Sequence, residues 1–156
     1  MIEYKLNIGD VITSSAKASY TCFGLGSCVG VFIQDRLTGQ SGGAHIFLPE
    51  DENGPAHYSC FCNVTSALDE ILRQLKMNGN NLTSLRAKVT GGANVLRTFS
   101  TTGERNAQSV LKQLTERKIF IAASDLGGSY CRTAKFESNS GMLSVRIPQL
   151  NQLKTY

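Results

Sequence analysis

Two side chains in this sequence have the types and the spacing for covalent catalysis. Cys28 stands in Gly24-Leu25-Gly26-Ser27-Cys28-Val29-Gly30, where a glycine-rich bend runs into an apolar, β-branched stretch. His45 stands in Gly42-Gly43-Ala44-His45-Ile46-Phe47-Leu48-Pro49, a second bend followed by an extended run. A thiol attacks a carbonyl carbon when a neighbouring imidazole takes its proton, and the same imidazole can then protonate the leaving group. The chain holds only two histidines, so the pairing has few competitors. Glycines at 24 and 26 permit a tight backbone whose N–H groups, around Ser27 and Cys28, can point at one spot. Such donors would stabilise an oxyanion and lower the thiol pKa. The bland alternatives are a buried structural cysteine and a hydrogen-bonded core histidine.

The elements that must position this pair are legible. Residues 28–34 read as a buried strand, 35–40 as a turn and 42–48 as the returning strand. That hairpin would bring Cys28 and His45, 17 positions apart, onto its two arms. Residues 3–12 offer short alternating segments around Gly9-Asp10, and 49–57 a polar loop. Val64, Leu68, Ile71, Leu72 and Leu75 fall at helical spacing, with Gly79 as a stop. A strand over 85–90 ends in Gly91-Gly92-Ala93-Asn94. A second helix follows Gly103, with Val110, Leu111 and Leu114 on one face. A strand over 119–123 runs into Asp125-Leu126-Gly127-Gly128, and 132–147 form a hairpin around Asn139-Ser140-Gly141. Each glycine pair is either an ordinary strand-end turn or part of one cleft with the Cys28 bend. The expectation is one domain over residues 1–156. Its fold is an α/β sandwich of mixed or antiparallel β-sheets with flanking helices, not a parallel doubly wound sheet.

Other chemistries fit less well. The glycine loop before Cys28 lacks the third glycine of a dinucleotide fingerprint, which would fall at Val29, and it feeds a strand instead of a helix. The lysine of a phosphate-binding loop is missing too. His57, Cys60 and Cys62 have a compact spacing that suits zinc, but a closed site needs a fourth ligand that only Cys131 or Asp51 could supply. Unliganded thiols at a helix start are the simpler reading, so no metal or cofactor is expected. The net charge of +4 is mild and spread, and its nearest cluster (Arg97, Arg105, Lys112, Arg117, Lys118) is interrupted by acids. That argues against nucleic acid as a partner, although a weakly basic face could meet an acidic protein. Five cysteines cannot all pair within the chain. With no visible export signal and no membrane-length apolar run, reduced thiols in a cytoplasmic protein without membrane insertion are expected.

Taken in order, these segments resemble the CheD family of chemoreceptor glutamine deamidases. The resemblance rests on Gly24–Gly30, Ala44–Pro49, Lys88-Val89-Thr90-Gly91-Gly92-Ala93-Asn94, Gly103-Glu104-Arg105-Asn106 and Ala123–Gly128. It implies a sandwich akin to the deamidating toxins and papain-like chemistry on protein glutamine side chains. It places the family's catalytic cysteine on Cys28 and its histidine on His45. The family's threonine, six residues before the cysteine, falls on Cys22 with Thr21 beside it. The third catalytic position is therefore Cys22, or Thr21 after a register change. A second departure is Cys131, where the family has a glycine before Arg132. The implied substrate is glutamine on the cytoplasmic helices of chemoreceptors, and a CheC-type phosphatase is an implied partner. Two alternatives stay open: a catalytically weakened CheD-like module that docks receptors or the phosphatase, and a transglutaminase or thiol protease using the same dyad.

Overall fold

The described chain runs through β1 (Ile2–Lys5), β2 (Val11–Ser14), β3 (Ala18–Leu25), β4 (Val29–Asp35), β5 (Ser41–Ile46), α1 (Val64–Met77), β6 (Leu85–Gly91), α2 (Thr102–Glu116), β7 (Phe120–Leu126), β8 (Arg132–Glu137), β9 (Met142–Ile147) and β10 (Gln152–Thr155). The computed structural model describes residues 1–50, 61–77, 82–95 and 100–156. The strands form two five-stranded sheets, ordered β1-β3-β8-β9-β10 and β2-β5-β4-β6-β7. Each sheet is mixed: β1–β3 and β6–β7 are parallel and the remaining pairs antiparallel.

Alternation along β4 sets the layering. Val29, Val31 and Ile33 pack with Val64, Leu68, Ile71 and Leu75 of α1 and with Val110 and Leu114 of α2. The opposite face carries Cys28 and Phe32, which pack with Tyr20, Cys22, Phe136 and Leu143 of the other sheet. Side chains two apart on a strand share a face. The result is three layers, with helices on one sheet and the second sheet on its other side. Phe32 and Phe136 stack at 5.6 Å across the inner core. The sandwich of mixed sheets expected from the sequence is present.

The β4–β5 hairpin lies where the sequence puts it. Two strands go beyond the sequence reading. β3 extends through the presumed bend as far as Leu25, with a register shift against β8 between Cys22 and Leu25. β10 closes the sheet edge against β9. The second helix begins at Thr102, so Gly103 sits inside its first turn instead of before it. A Cβ at 103 would lie 2.2 Å from the Ala93 carbonyl oxygen, so only glycine lets α2 approach the end of β6 this closely. Gly79, His57, Cys60 and Arg97 lie outside the described residues.

Candidate active site

Cys28 ends the β3–β4 connection and is 8% exposed, while His45 near the end of β5 is 5% exposed. Gly30 pairs with His45 across the hairpin, and Val29 with Ile46. Cys28, two residues from Gly30 and on its face, is thus the diagonal neighbour of His45, with no side chain between them. Diagonal neighbours in such a pair are about 7–8 Å apart, with their Cβ atoms somewhat closer, within reach of a cysteine and an imidazole. Both line one cavity of about 480 Å³, together with Leu6, Asn7, Ile8 and Phe23. The structure therefore brings the two residues singled out in the sequence to a common space.

The imidazole is oriented by backbone. Its Nδ1 lies 2.9 Å from the Leu6 carbonyl oxygen. A carbonyl only accepts, so Nδ1 carries the hydrogen and the neutral ring keeps its lone pair on Nε2. Nε2 is buried and has no hydrogen-bond partner among the described residues. Leu6 is in turn fixed by its N–H, which donates to the Thr21 carbonyl at 2.8 Å. Around the strand, the His45 N–H donates to the Asp10 carbonyl at 3.2 Å and the His45 carbonyl accepts from Gly9 at 2.8 Å.

Burial lowers the His45 pKa, outweighing the Leu6 bond and the Asp10 charge that raise it. Burial likewise pushes the Cys28 thiol up to about 11, helped by the neighbouring Cys131, while its own backbone N–H pulls the other way. The sequence suggested that backbone donors would lower this thiol. Desolvation wins instead, because Cys28 is 8% exposed and belongs to the inner core cluster. At neutral pH the resting pair is a thiol beside a neutral imidazole.

Cys22 is wholly buried on the core face of β3, opposite Ala134. Its thiol is raised strongly by burial, then by the charges of Cys28 and Asp10. Thr21 points to the other face, half-buried, and pairs with Lys5 and Lys135. The Nδ1 contact of His45 goes to Leu6, a residue that nothing in the sequence pattern marked. The signal was unreadable there, because a carbonyl is present at every position and only the fold selects one.

Two strand-end turns hold the Cys28 backbone. The Cys28 carbonyl accepts from Gly92 and the Gly26 carbonyl from Ala93, both at 2.8 Å. Gly91 has φ 110°, and a Cβ there would lie 2.2 Å from the Cys28 oxygen, so the close approach demands glycine. Gly127 donates to the Gly91 carbonyl at 2.9 Å and Asn94 to the Gly128 carbonyl at 3.0 Å. Buried Arg132 pairs with Asp125 at 2.6 Å and also donates to the Gly127 carbonyl, pinning that last turn. The glycine pairs thus frame the Cys28 bend, and a second cavity of about 200 Å³ opens between Ser27, Asn94, Ser100 and Cys131.

Asn106 joins the Cys28 and His45 segments. Fully buried on α2, its Nδ2 donates to the Ser27 carbonyl at 2.8 Å and to the Phe47 carbonyl at 3.0 Å. One amide therefore ties the residue before Cys28 to the residue two beyond His45. The four described cysteines form no disulfide. Of His57, Cys60 and Cys62, only Cys62, buried just before α1, is described, and of the two fourth ligands considered only Cys131 is.

The family model described as CheD chemotactic sensory transduction matches residues 47–147. The chain belongs to the CheD family. A relative from Halalkalibacterium halodurans, named chemoreceptor glutamine deamidase CheD, is 35% identical over 148 residues, covering 91% of each chain. Relatives from Clostridium tetani and Pyrococcus abyssi carry the name probable chemoreceptor glutamine deamidase CheD. They are 29% and 31% identical, over 92% of this chain and 90% and 91% of their own. A match over 91% of the chain necessarily takes in positions 28 and 45, which lie upstream of the family-model match. No helix among the described residues is long and apolar enough to cross a membrane.

Proposed function

We propose that this protein is a chemoreceptor glutamine deamidase, a cysteine-dependent protein-glutamine glutaminase in which Cys28 is the nucleophile and His45 the general acid–base. The observation that carries this reading is the unpartnered Nε2 of His45, turned loose by the Leu6 bond to Nδ1 in the cavity that Cys28 lines. Nε2 takes the Cys28 proton as the sulfur attacks the side-chain carbonyl carbon of glutamine. The oxyanion is held by backbone N–H groups around Ser27 and Cys28. The Nε2 proton passes to the amide nitrogen, ammonia leaves, and a thioester remains. Water then gives a proton to Nε2 and its oxygen to the acyl carbon. The sulfur leaves with that proton, and glutamate is released.

The third position acts through Leu6. Its carbonyl fixes the tautomer, the task that an orienting group performs in nucleophile–base–orienter sites. Cys22 contributes as the packed floor beneath Cys28, and no hydroxyl is needed at that place. The exposed Phe23, with Ile8, gives the cavity mouth an apolar rim suited to an amphipathic receptor helix on the cytoplasmic side of the membrane. A CheC-type phosphatase, the partner implied by the family resemblance, would compete for the same mouth. Conversion of glutamine to glutamate adds a negative charge to that helix, enough to bias a two-state signalling element.

The test is peptide mapping of a chemoreceptor cytoplasmic fragment after incubation with the protein. A one-unit mass increase at discrete glutamines, with matching ammonia release, is expected. An unmodified fragment that nevertheless binds the protein would support the docking-module reading instead.

A further inference from the structure

The far end of β4 carries a feature the reaction does not use. Gln34 pairs with Arg86 of β6 and Phe32 with Lys88, so Arg86 and Lys88 stand on the face that looks toward the other sheet. Arg36 follows at the turn, its N–H donating to the Ser84 carbonyl at 3.3 Å. These three cations line one cleft of about 230 Å³, closed from the opposite sheet by Ser140 and Gly141. No carboxylate lines it. The Asp35 carboxylate, next in sequence, is taken up by the Ser84 hydroxyl at 2.6 Å, the Leu37 N–H at 2.9 Å and the Thr38 hydroxyl at 2.8 Å.

Two of the three positive charges there are uncompensated. Neither Arg36 nor Arg86 enters an ion pair among the described residues. Lys88 donates to the Gly141 carbonyl and to the main-chain oxygen of Tyr156, both at 2.7 Å. Its pKa is lowered by burial and by the charge of Arg86. A cleft of one sign between low-dielectric walls focuses its field and concentrates the opposite ion. Arg guanidinium forks match phosphate oxygens in pairs, and lysine adds a point charge. An adjoining recess of about 740 Å³ shares Arg36 and Arg86 and adds Leu37 and Phe120. Those two side chains are 81% and 63% exposed, and the Arg86 guanidinium lies 5.3 Å above the Phe120 ring. An apolar shelf beside the cations fits an esterified phosphate better than the bare ion.

We propose that the cleft of Arg36, Arg86 and Lys88 binds the phosphate group of a small phosphate ester, whose organic part rests on Leu37 and Phe120. The site lies roughly 25 Å from Cys28, about the length of β4 with its flanks at 3.3 Å per residue. The ligand therefore stabilises the fold by mass action and takes no part in the reaction.

The test is a titration of the ¹⁵N-labelled full chain with phenyl phosphate, inorganic phosphate and chloride at constant ionic strength, following the backbone amides of residues 34–37, 84–88 and 140–141. Saturable shifts confined to these amides are expected with both phosphates and absent with chloride. Phenyl phosphate should bind roughly fivefold tighter, from aromatic contact with the shelf. The double variant Arg36→Gln, Arg86→Gln should lose the shifts while keeping the melting temperature of the phosphate-free protein. Shifts that do not saturate, or that survive the double variant, would overturn the site. Equal affinity for the two phosphates would overturn the ester and leave a free-phosphate site. Because neither arginine belongs to the dyad, these outcomes are independent of whether glutamine is the substrate.

Discussion

The two ends of β4 treat charge in opposite ways. At the Cys28 end the fold suppresses it, with a thiol raised to about 11 beside an imidazole that burial keeps neutral. At the Arg36 end it leaves positive groups without a lining acid. One strand of seven residues thus joins a pair that, in the proposed reaction, generates charge only as it reacts to a cleft that displays charge permanently. The difference follows from depth. Cys28 and His45 lie between two packed sheets, where an uncompensated ion is costly. Arg36 and its neighbours lie at the rim, where long side chains keep their heads in water.

The sharpest way to break this contrast is at His45. His45→Ala removes the proton acceptor and should lower kcat/KM by about 10²–10⁴-fold, while Arg36→Gln with Arg86→Gln leaves it unchanged. Steady-state ammonia release checks both, and equal losses would erase the distinction between the ends.

The next largest effect is on pH dependence. Cys28 alkylation, followed by peptide mapping to separate it from Cys131, should keep accelerating as pH rises toward about 11. A plateau below pH 7 would mean a resting thiolate–imidazolium pair. Stability carries the same sign. The folded thiol keeps its proton where the unfolded one, near 9, has lost it, so stability falls as pH rises from 9 to about 11. His45 acts at the other limit: its folded pKa lies below the unfolded 6.5, so stability falls as pH drops through and below 6.5. Activity should fall on that same acid side as Nε2 is protonated.

Asn106→Leu should cost about 1–3 kcal/mol for each buried carbonyl left without a donor, at Ser27 and Phe47. Its kcat should fall further than its KM rises, since the amide holds Cys28 and His45 in register and touches no substrate. Urea unfolding with parallel kinetics measures both. The smallest effect is expected at Cys22: Cys22→Ala should lower melting temperature by a few degrees through lost packing and leave kcat within about threefold. A loss there as large as at His45 would return the third catalytic role to that thiol.

Much of this was legible in the sequence. The apolar run after Cys28, the turn at 35–40 and the glycines before His45 specify a hairpin by local chemistry alone, and hairpin register puts the two side chains together. α1 follows from its period. Other features depend on contacts remote in sequence. Leu6 reaches His45 only because β1 runs parallel to β3 beside it, and a backbone acceptor has no residue signature. Asn106 reads as an ordinary polar helix position until α2 is docked against the Cys28 loop. The raised Cys28 pKa runs against the sequence expectation because glycine donors are visible in a sequence and burial is not. Arg36, Arg86 and Lys88 look scattered until β4 pairs with β6.

The most direct test of the central claim is ammonia release from a glutamine-bearing receptor fragment by the wild-type chain and by Cys28→Ala, each with its melting curve. The account predicts release by the wild type, none above background by the variant, and closely matching melting curves. Release by a folded Cys28→Ala protein at the wild-type rate would contradict it.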